Sequence, residues 1–247
     1  MKNGAFDYVC KPFKIDELML TVQRALSYEN ALRENESLKE NLHASSHFQT
    51  LIGEHPSMAR VYAMIEKVAH TDSTILIRGE SGTGKELVAR EIHRQSQRQG
   101  GPFVAINCAA MPDALLESEL FGATRDAGSG VRRDREGLFV TARSGTLFLN
   151  EVSALPPAVE VKLLRALDTG VVRPAGANGE IRIDVRVIAS TRQDLLARAR
   201  DGRFREDLFY GLSVIHLKLP PLRRRGVDIL RLAEHFGATA AAEAGLE

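Results

Sequence analysis

The segment Gly79-Glu80-Ser81-Gly82-Thr83-Gly84-Lys85 lies between an apolar run, Ile75-Leu76-Ile77, and an amphipathic stretch carrying Leu87, Val88 and Ile92. The pattern G-x-x-x-x-G-K narrows the fold sharply. Its glycines let the backbone turn N–H groups toward phosphate oxygens while the lysine reaches the terminal phosphates, which requires a strand feeding the loop into the first turn of a helix. Strands alternating with helices imply a parallel sheet covered by helices, because parallel neighbours must be joined by crossovers. Strands are expected at Thr74–Arg78, Phe103–Asn107, Thr146–Asn150 and Ile183–Ser190, with a last apolar stretch at Val214–Leu219. Helices are expected at Ser57–Ala69, Lys85–Gln99, Pro112–Leu120, Ala158–Leu167, Asp194–Ala199 and Arg205–Leu212.

Around this loop the chemistry needs further groups. Its eighth position is Glu86, not the Ser or Thr that usually contacts magnesium, so the pattern alone does not assure that contact. A neighbouring strand should end in an acid near the metal's water shell, and Thr146-Leu147-Phe148-Leu149-Asn150-Glu151 is the segment that fits. Asn150 stands at the first acidic position. Its amide oxygen accepts a hydrogen bond from metal-bound water but carries no charge, so Mg2+ affinity is expected to be weakened. Glu151 remains to orient or deprotonate an attacking water.

Charge and cysteine content exclude other classes. Lys and Arg number 33 against 32 Asp and Glu, a net charge of +1 over 247 residues, so no global field draws the chain to nucleic acid or anionic lipid. Two cysteines, Cys10 and Cys108, build no disulfide framework. No apolar run approaches the ~18 residues of a membrane span, and Met1 to Cys10 lacks the basic start and apolar centre of a signal peptide. A cytoplasmic protein without membrane contact is expected. From Asp16 a helical pattern carries Leu18, Val22, Ala25, Leu26, Leu32, Leu38 and Leu42, with no Gly or Pro before Gly53. Leu18, Ala25 and Leu32 recur every seven residues, so this helix either pairs two copies as a short coiled coil or runs as a solvated linker.

These segments together resemble the AAA+ ATPase domain of NtrC-type response regulators, the activators that open promoters for sigma-54 RNA polymerase. The resemblance is carried by GESGTGKELVAREIH (Gly79 to His93), FVAINCAAMPDALLESELFG (Phe103 to Gly122) and REGLFVTARSGTLFLNEV (Arg135 to Val152). It continues in VKLLRALDTG (Val161 to Gly170), GRFREDLFYGLSVIHLKLPPLRRR (Gly202 to Arg225) and GAFDYVCKPF (Gly4 to Phe13). It implies a three-layer α/β P-loop AAA+ core over residues 49–219. Residues 1–27 would be the last strand and helix of a receiver domain, with Lys11 as its phosphate-sensing lysine, 28–48 a linker helix, and 220–247 the start of a helical lid. It also implies ATP and Mg2+ as cofactors, with Gly79, Glu80, Ser81, Gly82, Thr83, Gly84, Lys85 and Glu86 at the nucleotide. By the same resemblance Glu151 polarises water, Asn107 restrains that glutamate until nucleotide is read, and Arg205 is a finger reaching into the neighbouring copy of a ring, normally a hexamer. The Gly170–Gly179 loop, with Asn178-Gly179, would be a tight surface hairpin near the ring pore.

Four departures from the family pattern fall on working parts. Asn150 replaces a metal-coordinating aspartate, Arg192 stands where an asparagine or histidine senses phosphate, and Gly211 replaces a second interface arginine. The loop Asp126-Ala127-Gly128-Ser129-Gly130-Val131 replaces the Gly-Ala-Phe-Thr-Gly-Ala segment that pushes on sigma-54, so engagement of sigma-54 polymerase is expected to be impaired. With the receiver aspartate expected before Met1, and the rest of the lid and any DNA-binding helices beyond Glu247, DNA contact would belong to a domain outside this sequence. The leading expectation is an ATP-binding module regulating transcription through ATP-driven remodelling of polymerase. The alternatives are a regulatory nucleotide-binding module that neither hydrolyses ATP nor engages sigma-54, and a gene fragment.

Overall fold

Alternation along the strands creates two cores, one on each face of a single sheet. In the computed structural model, which describes residues 51–124 and 135–244, the order begins with α1 (Pro56–Ala69), β1 (Ile75–Arg78), α2 (Lys85–Arg94), β2 (Phe103–Asn107) and α3 (Asp113–Phe121). It continues with α4 (Leu138–Thr141), β3 (Thr146–Asn150), α5 (Pro157–Thr169), β4 (Val171–Val172), β5 (Ile181–Arg182) and β6 (Arg186–Thr191). The last elements are α6 (Leu195–Arg200), α7 (Glu206–Leu212), β7 (Ile215–Lys218) and α8 (Asp228–Glu243). The main sheet has the order β2-β3-β6-β1-β7, and all its pairings are parallel. The receiver end at 1–27, the linker at 28–48 and the loop Asp126–Val131 lie outside the described residues.

Successive strand residues point to opposite faces. Ile75, Ile77, Phe148 and Ile188 face α1 and α2, where they meet Met58, Val61, Ile65, Val88 and Ile92. Leu76, Leu147, Leu149, Val187 and Ala189 face the other way, against Leu116, Leu120, Phe139, Leu163, Leu208 and Leu212. Most of these side chains are fully buried, each stabilising the fold by roughly 1.5–3 kcal/mol before the entropy of ordering is set against it. The result is the expected three-layer α/β core on a parallel sheet.

Local chemistry explains where elements end. Pro56 occupies the first turn of α1, and the His55 Nδ1 accepts the Ser57 N–H at 3.2 Å. At the other end of α1, the buried Arg186 donates to the Val68 and Ala69 carbonyls at 2.7 and 2.8 Å, placing a cation on the helix C-terminus. Helix α2 stops at Arg94, earlier than the pattern to Gln99 predicts, because the Ser96 hydroxyl donates to the His93 carbonyl at 2.7 Å and its oxygen then accepts the Arg98 N–H at 3.1 Å. Strand β6 starts at Arg186, not Ile183. The preceding residues serve the β4–β5 hairpin, where Ile183 N–H donates to the Gly170 carbonyl at 2.9 Å. That hairpin closes through residues 173–180, so Asn178-Gly179 is part of a longer loop and not a two-residue turn. The short α4 has no counterpart in the sequence reading, since one helical turn leaves too little periodicity to register.

His93 couples α2 to the sheet. Its Nδ1 lies 2.9 Å from the Thr146 Oγ1, and burial holds its pKa below the ordinary 6.5, with the Arg186 and Arg90 charges acting in the same direction. A depressed folded pKa means the unfolded chain takes up the proton first, so the His93 contribution is present above pH 6.5 and lost as pH falls toward the folded value. Urea unfolding of wild type and His93→Gln is therefore expected to converge as pH drops to about 5, with the wild type losing more stability over that interval. Parallel curves would show that His93 takes up its proton equally in the folded and unfolded states.

Candidate functional site

The phosphate loop turns on two left-handed glycines, Gly82 at φ 76° and Gly84 at φ 89°. Gly84 is the N-cap of α2 and offers no side-chain cap, leaving the first-turn N–H groups directed out of the helix toward the loop. Gly79 is required by space, since a Cβ there would lie 2.6 Å from Thr83 Oγ1 and 3.1 Å from the Leu219 Cβ. The Thr83 hydroxyl donates to the Glu80 carbonyl at 2.8 Å and braces the turn. Lys85, buried at the start of α2, folds over the loop and donates to the Gly79 and Glu80 carbonyls, each at 3.1 Å. Its Nζ also lies 3.3 Å from Glu151 Oε1. Glu86 points away and pairs with Arg90 on the exposed side of α2.

Glu151 follows β3 in a left-handed conformation, φ 59° and ψ 52°, which for a residue with a side chain costs on the order of 1–3 kcal/mol. Its surroundings hold it there. Its N–H donates to Ser190 Oγ at 3.4 Å, its Oε1 faces Lys85, and its Oε2 accepts the Arg192 N–H at 3.4 Å with the Arg192 Nε at 3.8 Å. The carboxylate thus sits between two cations, one on each oxygen. Asn150 ends β3 beside it, and its Oδ1 accepts the Ser190 hydroxyl at 2.6 Å. A hard divalent cation such as magnesium is held by oxygen donors that include carboxylates. Here the strand end offers a neutral amide oxygen already engaged and a carboxylate neutralised on both sides. Among the described residues no group of three or more His, Cys, Asp or Glu side chains is placed to hold a metal. The residues present do not fit the magnesium ion expected from the loop.

Asn107 is level with Asn150 across the β2–β3 pairing, yet its Oδ1 accepts the Ala109 N–H at 3.0 Å, closing its own turn. Among the described residues no hydrogen bond joins it to Glu151. Its neighbour Cys108 is buried, and burial pushes its thiol up to about 12, with the Glu151 charge adding to the effect. Arg205 lies elsewhere, at the N-cap of α7, where its N–H donates to Glu160 Oε2 at 3.0 Å. Its guanidinium is exposed and pairs with Asp207 at 2.6 and 3.0 Å, on a shallow surface shared with Tyr210. Among the described residues it makes no contact with the loop of its own chain. Gly211, also on α7, faces α5, with Leu164 and Leu167 Cδ1 at 3.7 Å from where a Cβ would lie. The structure therefore brings together Gly79–Lys85, Asn150, Glu151 and Arg192, and leaves Asn107 and Arg205 with partners of their own.

The family model described as the Sigma-54 interaction domain matches residues 51–218. The chain belongs to this family. Regulatory protein AtoC of Escherichia coli is 48% identical to it over 236 residues, which are 96% of this chain and 51% of AtoC. The DNA-binding transcriptional regulator NtrC of Salmonella typhimurium is 45% identical over 246 residues, covering 100% of this chain and 52% of NtrC. The crystal structure of NtrX from Brucella abortus superposes with a TM-score of 0.80 at 39% identity, over 99% of this chain and 53% of that one. The chain spans about half the length of the curated relatives it matches.

In this sigma-54 interaction domain two arginines beyond β7 tie the phosphate loop down. Arg223 forms a bidentate, exposed pair with Glu80, both contacts at 2.7 Å. Arg225 is buried and donates to the Thr83 carbonyl at 2.8 Å and the Pro220 carbonyl at 3.1 Å. Nearby Asp228 is fully buried, its Oδ1 accepting the Glu54 and His55 N–H groups at 2.8 and 3.1 Å. Burial holds the Arg225 pKa below its ordinary value while the Asp228 charge opposes that shift. The signal for these roles is long-range and leaves no local pattern in the sequence.

Removing a buried cation leaves its partners desolvated and unpaired, whereas an exposed pair is screened by water. Arg225→Ala is expected to lower the unfolding free energy by about 2–4 kcal/mol, and Arg223→Ala to leave the urea midpoint unchanged. Equal midpoints for both variants would show that the Arg225 bonds do not hold the loop.

Proposed function

We propose that this chain is the ATP-binding AAA+ module of a sigma-54-dependent transcriptional regulator of the NtrC type, acting as part of a ring and remodelling sigma-54 RNA polymerase. The observation that carries the reading is Lys85 at the start of α2, 3.3 Å from a carboxylate that follows β3, across β6 from the strand that feeds the loop. A phosphate-binding cation beside a base able to direct water is the minimum for phosphoryl transfer to water. The relatives agree in kind: NtrX of Brucella abortus, 39% identical over 99% of this chain, has been solved in complex with ADP and with ATP.

In this reading the glycines of 79–84 and Lys85 hold the triphosphate, and Glu151 orients the attacking water. The left-handed backbone aims its carboxylate out past the strand end, and Ser190 keeps it there. Arg205 completes the site of an adjacent copy. Its exposure and the pairing of its guanidinium with Asp207 alone among the described side chains support that role, and it must leave Asp207 to perform it. Residues 1–27 would end a receiver domain and 28–48 would link it to the ATPase, pairing copies along the helix. Among the described residues no helix is long and apolar enough to cross a membrane.

Shared sites have a kinetic consequence. Specific ATP turnover should rise steeply with protein concentration, and Arg205→Ala should reduce it by about 10³-fold. Mixing Arg205→Ala with Lys85→Ala should recover part of the activity, because an intact loop then meets an intact finger from another copy. Turnover that is independent of concentration and indifferent to Arg205 would overturn the ring. Tight ATP binding with background turnover at every concentration would favour a module that binds without hydrolysing, the reading that Asn150 supports.

A further inference from the structure

Lys85, Arg192 and Glu151 form a cluster of two cations around one carboxylate. Lys85 Nζ stands 3.3 Å from Glu151 Oε1, and Arg192 Nε stands 3.8 Å from Oε2. Two cations against one carboxylate leave the cluster at +1. Arg78, at the end of β1, is neutralised by Asp194 at 2.8 Å and does not change this sum. The adjoining Asn150 adds no charge, and its oxygen is occupied by the Ser190 hydroxyl at 2.6 Å. A divalent cation brought to this strand end would meet net positive charge and no carboxylate free to ligate it, while a phosphate oxygen would meet the opposite.

We propose that this site takes a nucleoside triphosphate without a magnesium ion, with the Arg192 guanidinium supplying the positive charge at the terminal phosphate. The proposal rests on the nucleotide-binding reading above. Arg192 is built for the exchange. Its side chain is 62% exposed and so free to swing, and a guanidinium matches phosphate oxygens in a planar, two-pronged contact. Glu151 does not lose its hold when the guanidinium leaves, because the Arg192 backbone N–H stays on Oε2 at 3.4 Å. The incoming phosphate likewise competes for Lys85, whose other bonds are to two loop carbonyls. The anionic place between the two cations, held by the Glu151 carboxylate, passes to the phosphate.

The test is equilibrium binding of ATP carrying a fluorescent ribose label to the full chain, in excess EDTA and in excess Mg2+. Wild type should bind with Kd values within about threefold of each other under the two conditions. Arg192→Asn should weaken binding in EDTA by about tenfold or more without moving the Tm, since an exposed side chain is replaced. The double variant Arg192→Asn, Asn150→Asp should bind about tenfold or more tightly with Mg2+ than without it. Wild-type binding that disappears in EDTA, or Arg192→Asn binding in EDTA as tightly as wild type, would overturn the proposal. No binding in either condition by a chain that still melts cooperatively would overturn the nucleotide reading itself, a separate result.

Discussion

The parallel register of β3, β6 and β1 is the constraint on which the site depends. Arg78 is level with Thr191, and Leu149 with Ala189, so Gly79, Arg192 and Glu151 all emerge from the same edge of the sheet within about a residue of one another. Each strand is apolar on both faces and packed by helices, so a slip of one residue would exchange the two cores. Register is therefore held by burial throughout the domain. The positions of Lys85, Glu151 and Arg192 follow from it.

Electrostatics then decides what the shared edge does. Lys85 is satisfied by two carbonyls and a carboxylate, while the Glu151 carboxylate has two cations and the Arg192 N–H and its own N–H donates to Ser190. This closed network gives a buried lysine its partners and holds an acid in a backbone conformation that side chains disfavour. It also means that any ligand must replace partners rather than fill a void. A polyanion is the chemical class able to do so, since it offers Lys85 and Arg192 an equal or larger negative charge.

The loop is also anchored from the far end of the chain. Arg225 reaches the Thr83 carbonyl and Arg223 reaches Glu80, both from the segment between β7 and α8. That segment begins where β7 runs beside β1, so the loop and its anchors share a common base. Helix α8 carries exposed Ile229, Leu230 and Phe236 and meets the core chiefly through the fully buried Asp228.

The sequence by itself determined the layer architecture, the phosphate loop and the strand delivering Glu151. These rest on local signals: glycine spacing, apolar runs of strand length and helical periodicity, all of which act over a few residues. It also placed β2 and β3 to the residue, because Phe103–Asn107 and Thr146–Asn150 follow Pro102 and Gly145 and each ends in an asparagine. Only the tertiary structure decided that Ser190 claims the Asn150 oxygen, that Arg192 shares Glu151 with Lys85, and that Arg225 holds Thr83. It likewise assigned Ile183 to a hairpin and gave Asn107 a partner in its own turn. Those outcomes depend on which groups meet across strands and loops far apart in the chain. Nothing in a local pattern records them, because a hydrogen bond or ion pair is set by distance in space and by the burial around it.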